Sequence, residues 1–160
     1  MIPERIVVMG LGNTLNCDEG LGVQALKELD AQLQSRPPEL ELLDGGVLGL
    51  NLLMIVEECS HLLILDAVDA NKAPGTVIEL TKEEIPLYAG VRLSQHQTTF
   101  QEVLGLANIR DHLPEHLHLI GIQPQNLEIG LEISAVVEQA IPEVTARAIQ
   151  ILKTWGIINT

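Results

Sequence analysis

The chain has 160 residues, a length typical of one domain with one hydrophobic core, and we predict a single domain over residues 1–160. Hydrophobic residues make up 46% of the chain and aromatic residues only 2%, so the core must be built from aliphatic side chains. The formal net charge of −13 makes binding to nucleic acid or to an anionic membrane unfavourable, and it favours either simple solubility or a cationic partner.

Strand-like and helix-like patterns alternate along the chain. In order, they predict a strand at 5–9, a helix at 21–33, a strand at 40–43, a helix at 50–58, strands at 61–68 and 75–81, a helix at 98–109, a strand at 116–124 and a helical tail at 134–155 that Pro142 interrupts. The 61–68 run is almost continuously apolar, which is typical of a strand buried on both faces, whereas 75–81 suits an edge. The alternation predicts an α/β fold with a mostly parallel sheet, whose functional residues gather at the carboxyl ends of the strands.

The cysteine content and the N-terminal segment indicate a compartment. Two cysteines, Cys17 and Cys59, are too few for a disulfide framework and fit a reducing environment. The first ten residues lack the apolar stretch of a secretory signal, and no apolar run approaches the roughly 18 residues of a membrane-spanning helix. We therefore expect a cytoplasmic protein with neither a membrane nor a nucleic acid as partner.

The segment GLGNTLNCDEGLG at residues 10–22 joins the first predicted strand to the first predicted helix. Its first two glycines begin the dinucleotide-binding fingerprint G-x-G-x-x-G, but Leu15 occupies the third glycine position. Asp18 and Glu19 would repel a phosphate group at the start of the helix, and the segment holds no basic residue to offset them. We therefore expect no nucleotide site, and for each carboxylate taken alone we expect capping of free N–H groups in the first helical turn.

A metal site is the stronger hypothesis once the other strand ends are considered. Asp66 ends the run LLILD towards the end of the buried 61–68 strand, and His96 lies in a predicted loop just before a helix. Together with Glu19 they come from three segments that a parallel sheet can gather at one edge. Two carboxylates and one imidazole suit a divalent ion such as Ni²⁺, Zn²⁺ or Fe²⁺, and a three-ligand set leaves coordination positions for water or for substrate.

The same segments carry a family resemblance. The motifs GLGNTLNCDEGLGV, LLDGG, LLILDAVD followed by PGT, and SQHQ occur in this order, and GIQP and GLEIS follow them. Over residues 6–156 the chain resembles the maturation endopeptidases of nickel–iron hydrogenases. The combination of G-x-G-N-x-L-x-x-D-E-G-x-G with a later D-G-G is specific to few families.

The resemblance implies a fold, a reaction and a site. The implied fold is a three-layer α/β sandwich with a twisted, mostly parallel sheet flanked by helices. The implied reaction is removal of a C-terminal extension from the precursor of the hydrogenase large subunit, after nickel has entered that subunit. The family's metal-binding residues fall on Glu19, Asp66 and His96, which would touch nickel supplied by the substrate. These three residues are also the candidate catalytic residues, and the sequence leaves open whether nickel acts in the hydrolysis or serves only for recognition.

Three further polar residues each have a structural and a functional interpretation. Asp44 in LLDGG is either a turn residue beside Gly45 and Gly46 or a supporting group that positions the substrate tail. Asn13 either organises its loop or contacts substrate. Asp69 is expected to form a turn.

Two alternatives to a nickel-directed peptidase remain open at this point. Cys17 lies near a helix start, where a thiol can become reactive, and with His96 it would make a Cys–His hydrolase. In the second alternative, the chain is a chaperone-like protein that binds the precursor and does not cut it. Cys59 is expected in the core.

The remaining histidines and two loops complete the predictions. His112, His116 and His118 have loose metal-ligand spacing, but Pro114 separates the first two, so we expect His118 in a strand and the others on the surface. Thr81 and Glu84 have the spacing of a capping box. Substrate specificity is expected in the loops at 87–93 and 123–131.

Overall fold

The computed structural model describes residues 4–46, 52–85, 92–93 and 95–159; the side chains of 92, 93 and 95–99 are not described. The strands are β1 (Ile6–Leu11), β2 (Leu40–Gly46), β3 (His61–Asp69), β4 (Val77–Thr81), β5 (Arg92–Leu93) and β6 (His116–Ile122). The α-helices are α1 (Leu21–Gln32), α2 (Leu53–Glu58), α3 (Gln95–Ile109), α4 (Ala135–Glu138) and α5 (Ile141–Thr154), and a 3-10 turn over Cys17–Gly20 precedes α1. No helix in these ranges has the length and apolar character needed to cross a membrane.

The strands form one sheet in the order β2-β1-β3-β6-β4. β1, β2, β3 and β6 run parallel, while β4 pairs antiparallel with β6 at the edge, as its sequence predicted. β5 pairs antiparallel with the last two residues of β3. β3 lies at the centre of the order, and its residues are buried up to Ala67 and Val68, which explains its continuous apolar sequence.

Helices cover both faces of the sheet, so the predicted three-layer α/β class is confirmed. One core cluster joins the sheet to α2 and α3, and it contains Val7, Met9, Val56, Ile64, Phe100, Val103 and Leu119. The other joins the opposite face to α1 and α5, and it contains Ile6, Val8, Ala25, Leu29, Leu63, Leu65, Val144 and Ala148. The alternation of Ile6 and Val8 against Val7 and Met9 between these clusters is the two-residue period of a strand.

Three element boundaries differ from the sequence prediction in ways that matter. The helix expected from 98 begins at Gln95, so the expectation that His96 lies in a loop is wrong. The polar run SQHQTT has no apolar periodicity, and the helix start was therefore set too late. The interrupted tail is two helices, and Pro142 lies in the first turn of α5, where a missing N–H costs no helical bond. Of the helix expected at 50–58, residues 53–58 are helical and 50–51 lie outside the described part.

Candidate functional site

Close approach of glycine backbones brings the start of α1 onto the ends of two strands. A Cβ on Gly22 would collide with the carbonyl oxygens of Leu65 in β3 and Leu11 in β1. A Cβ on Gly10 would lie 2.6 Å from the Gly22 carbonyl oxygen. These two glycines therefore let the 3-10 turn that precedes α1 reach the carboxyl end of β3, where Asp66 lies.

Asp66 is completely buried and only partly hydrogen-bonded. Its Oδ1 accepts the Ala67 backbone N–H at 2.7 Å, whereas its Oδ2 has no hydrogen-bond partner among the described residues. Burial raises the pKa of this carboxyl well above its ordinary value, the Ala67 N–H opposes that shift, and the nearby charge of Glu19 adds to it. Asp66 is therefore a buried acid with one oxygen directed away from any protein donor in the described part.

Glu19 lies beside Asp66, as the order of the strands predicted. It is only 4% exposed and belongs to the 3-10 turn, where its N–H donates to the Asn16 carbonyl at 3.1 Å. The 3-10 turn packs against β3, and both carboxyl groups are buried where the turn meets the strand. Two carboxyl groups in so little solvent repel each other when both are ionised, and a bound cation removes that repulsion.

The backbone of His96 reaches the same edge of the sheet. Leu93 of β5 pairs with Val68, two residues beyond Asp66, and α3 begins two residues after Leu93. His96 is the second residue of α3 and lies three residues after Leu93, so its backbone is within about 11 Å of the Leu93 backbone, which pairs with β3. Its side chain lies outside the described part, and no cluster of three His, Cys, Asp or Glu that could hold a metal occurs among the side chains that are described. The complete three-residue site stays a prediction.

Asp18 has a role that the sequence did not indicate. The capping expected of it is wrong, because its carboxylate instead binds a loop far along the chain. Oδ2 accepts the N–H groups of Gln125 and Asn126 and the hydroxyl of Ser134, each at 2.8 Å, and Oδ1 accepts the Ser134 N–H at 2.6 Å. The side chain is fully buried. Asp18 thus fixes the 125–134 loop against the turn that carries Glu19.

Asp44 and Asn13 both organise turns beside a small cavity. Asp44 Oδ1 accepts the Gly46 N–H at 2.9 Å, and Gly46 has a φ of +50°, so the turn interpretation is confirmed. Asn13 Oδ1 accepts the Leu15 N–H at 2.9 Å. Both line a cavity of about 160 Å³ near the end of β1. A contact between Asp44 and substrate there remains a prediction.

Asp69, Cys17 and Cys59 have structural roles. Asp69 Oδ1 accepts the Asn71 N–H and the Gln123 side-chain amide, both at 3.2 Å, which confirms its turn role. Cys59 lies in the core as predicted; its thiol donates to the Ile55 carbonyl at 2.9 Å, and burial raises its pKa to about 12. Cys17 is buried with a φ of +49°, and its Sγ accepts the Asn126 side-chain amide at 3.8 Å.

The later histidines have separate partners and do not converge. His118 lies in β6 as predicted, with Nε2 3.2 Å from Glu79 Oε2 but without hydrogen-bond geometry. His112 is exposed and contacts Glu57 at 3.2 Å. His116 is on the surface at the start of β6, and its ring stacks on that of His61 at 4.2 Å between centroids. No local sequence pattern predicts this stacked pair, because the two residues belong to different strands.

Comparison with known proteins gives one consistent result. A family profile described as hydrogenase maturation protease matches residues 23–151. The chain is 39% identical over 157 residues to the hydrogenase expression/formation protein HupD of Rhodobacter capsulatus, and this alignment covers 97% of this chain and 74% of that protein. It is 38% identical over 147 residues to the hydrogenase 2 maturation protease of Escherichia coli K12, and this alignment covers 89% of each chain. Among solved structures, the hydrogenase maturating endopeptidase HybD from E. coli superposes with a TM-score of 0.87 at 33% identity, over 95% of this chain and 94% of that one.

Proposed function

The chain belongs to the hydrogenase maturation protease family, and from that premise we propose that it is the endopeptidase that removes the C-terminal extension of the nickel-loaded hydrogenase large-subunit precursor. Nickel, carried by the precursor, is the element that the enzyme recognises. Glu19, Asp66 and His96 are the residues assigned to contact it. Family membership supports a peptidase; nickel and His96 are assigned from the resemblance of the sequence motifs, and the geometry below supports the parts given to Glu19 and Asp66.

The observation that supports this assignment most directly is the environment of Asp66. A buried carboxyl oxygen without a protein donor, next to a second buried carboxyl group, is costly unless a ligand completes it. A divalent cation supplies that completion, and oxygen ligands are acceptable to Ni²⁺. Because metal binding requires the ionised carboxylate, Asp66 would release its proton when the precursor's metal arrives.

The carboxyl groups at this edge have parts both in binding the precursor and in peptide hydrolysis. The metal-loaded centre of the precursor binds at the edge formed by Glu19, Asp66 and the start of α3, which places the adjoining peptide bond beside these groups. In this proposal water adds to the scissile carbonyl carbon while an ionised carboxylate at this edge takes one of the water protons; that proton passes to the leaving amine as the C–N bond breaks, and the other stays on the new carboxyl group. Nickel carried by the precursor would polarise the carbonyl or the water.

Cleavage of paired substrates tests the proposal. Purified protein is incubated with the large-subunit precursor in nickel-loaded and nickel-free forms, and the products are weighed by mass spectrometry. We expect a released C-terminal peptide only from the nickel-loaded form. Glu19→Gln, Asp66→Asn and His96→Ala should each lower its rate at least about 100-fold while the far-UV circular dichroism stays that of the wild type. Glu102→Gln, at an exposed position of α3, is the matched control and should cleave at the wild-type rate.

Three outcomes would contradict the proposal in different ways. Cleavage of both precursor forms leaves a peptidase but removes nickel recognition. Wild-type rates in all three site variants remove the site. A stable complex with the nickel-loaded precursor that never releases a peptide would identify a binder instead of an enzyme.

A further inference from the structure

Four exposed apolar side chains lie on two adjoining segments next to the candidate site. Their exposed fractions are 59% for Leu15, 42% for Leu127, 90% for Ile129 and 78% for Leu131. The two segments are bonded to each other, since the Gly130 N–H donates to the Leu15 carbonyl at 2.8 Å and the Asn16 side chain donates to the Leu127 carbonyl at 3.3 Å. A single exposed leucine is ordinary, but a group of this size on two joined loops indicates a binding surface.

A groove runs beside these side chains to the turn that carries Glu19. It has a volume of about 720 Å³ and is lined by Cys17, Asn126, residues 130–135 and Glu138. Asp18, the residue between Cys17 and Glu19, holds the far wall of the groove through its hydrogen bonds to the loop. The groove and the two buried carboxyl groups are therefore built on the same 3-10 turn.

Every charged side chain among the residues that form this surface is acidic. Glu128, Glu132 and Glu138 are exposed on it, and the sequence contains no Lys or Arg between positions 111 and 146 or between 6 and 26. A segment that binds here must offer apolar side chains to the exposed leucines and isoleucine. Positive charge on the same segment would be attracted, and negative charge would be repelled.

We propose that this surface, formed by Leu15, residues 127–136 and Glu138, binds an extended part of the precursor that adjoins the cleaved bond and carries apolar side chains together with Lys or Arg. The inference rests on the proposed function, because an endopeptidase must hold the chain next to the bond that it cuts. Glu19 and Asp66 then select the metal-loaded state, and the apolar, acidic surface selects the chain segment.

Binding and cleavage measured separately test this inference. Affinity for the full nickel-loaded precursor is measured by biolayer interferometry with the wild type, with Ile129→Ser/Leu131→Ser and with Glu132→Lys/Glu138→Lys. Ile109→Ser, at a position 83% exposed at the end of α3, and Glu102→Lys are the matched controls on the opposite layer.

Each surface pair should raise Kd at least about tenfold, and the controls should stay within about twofold of wild type. Raising the salt concentration from 50 to 500 mM should weaken wild-type binding several-fold and weaken the charge-reversed variant much less. In cleavage assays the surface variants should raise KM about as much as Kd, with kcat near that of wild type, because the residues at the carboxyl end of β3 are unchanged.

Several results would overturn the inference. Surface variants that bind like their controls would remove it even if the wild type cleaves normally. Failure of the wild type to bind the precursor would also remove it. If the wild type is a dimer by light scattering at micromolar concentration and Ile129→Ser/Leu131→Ser is a monomer, the surface belongs to a second copy of the chain. Surface-dependent binding without any released peptide would keep the docking surface but refute the peptidase.

Discussion

Replacing Asp18 by Asn should destabilise the protein far more than a carboxylate-to-amide change does on the surface. The Asp18 carboxylate is fully buried and accepts four hydrogen bonds from a loop more than 100 residues away in sequence. An amide has the same shape, but only one of its two polar atoms accepts hydrogen bonds. If the amide oxygen takes the place of Oδ2, three bonds survive without charge, and the amide NH2 faces the Ser134 N–H.

The expected loss follows from these contacts. Hydrogen bonds to a charged group are worth about 1.5–3 kcal/mol against about 1 kcal/mol for neutral pairs, and an unpaired buried donor costs about 1–3 kcal/mol. Relief of the carboxylate's burial offsets part of the sum, so Asp18→Asn should lower the free energy of unfolding by about 3 kcal/mol. In a chain of this size that corresponds to a fall in Tm of about 6–12 °C. Ser134→Ala, which removes only the hydroxyl bond, should cost about 1 kcal/mol.

Guanidinium unfolding followed by Trp155 fluorescence measures these differences. Asp30→Asn is the matched control, because Asp30 is exposed and contacts only the surface residue Arg36 at 3.0 Å; its effect should be below about 0.5 kcal/mol. Hydrogen exchange at the amides of Gln125, Asn126 and Ser134 reports on the loop directly and should accelerate in Asp18→Asn. A loss below about 1 kcal/mol together with unchanged exchange at these three amides would refute the assigned role of Asp18.

Three further predictions concern the titration of Asp66 and His61 and the role of the Cys17 thiol. The pKa of Asp66 is raised, so in metal-free protein its contribution to stability is complete at about pH 4 and is lost as the pH rises. Asp66→Asn should therefore be more stable than wild type at pH 8 and similar to it near pH 4. Equal differences at both pH values would contradict this prediction. Burial and the neighbouring His116 lower the pKa of His61, so its contribution to stability is lost as the pH falls below about 6.5. The free energy of unfolding of wild type relative to His61→Phe should decline from pH 7.5 to 5.5. A difference that does not change with pH would show that the imidazole is equally charged in the folded and unfolded states. Cys17→Ser should cleave the nickel-loaded precursor within about threefold of the wild-type rate, because the Cys17 sulfur is buried and held by Asn126; a loss above about 100-fold would restore the Cys–His mechanism.

The sequence predicted the main fold because its signals are local and periodic. The central strand β3 reads as an unbroken apolar run because it is buried on both faces, and α1 matches its predicted limits within one residue. Half of the capping box at Thr81 is confirmed: Glu84 accepts the Thr81 N–H at 3.0 Å, whereas the Thr81 hydroxyl donates to the same carboxylate and the Glu84 N–H donates to the Thr81 carbonyl. β5 has only two residues, too few for any periodicity, and was not predicted. Its absence from the prediction also hid how α3 is brought back to β3.

Of the candidate site, too, only part could be predicted from the sequence. Glu19 and Asp66 were predicted to meet because each follows a parallel strand, and the structure places them in one buried environment. The partners of Asp18 are mainly backbone N–H groups of a distant loop, and a backbone donor has no identity in the sequence. Only the fold, by returning the chain after β6 to the first turn, reveals what this aspartate binds.

The adjacent acids Asp18 and Glu19 show how the environment assigns a role that composition leaves open. Asp18 has its hydrogen-bonding capacity met by the protein, so it has little left to offer a ligand, and its place is structural. The group that Glu19 approaches is Asp66, where a completely buried oxygen has no donor in the described part and a raised pKa reflects the cost of ionising it. An unsatisfied buried polar group costs about 1–3 kcal/mol, so a fold that keeps one gives up stability at that position. Of these two adjacent residues, Asp18 therefore anchors the 125–134 loop, and Glu19 lies with Asp66 where a cation carried by the precursor would bind. Because they are neighbours in one turn, the proposed docking surface is coupled to the proposed recognition of nickel.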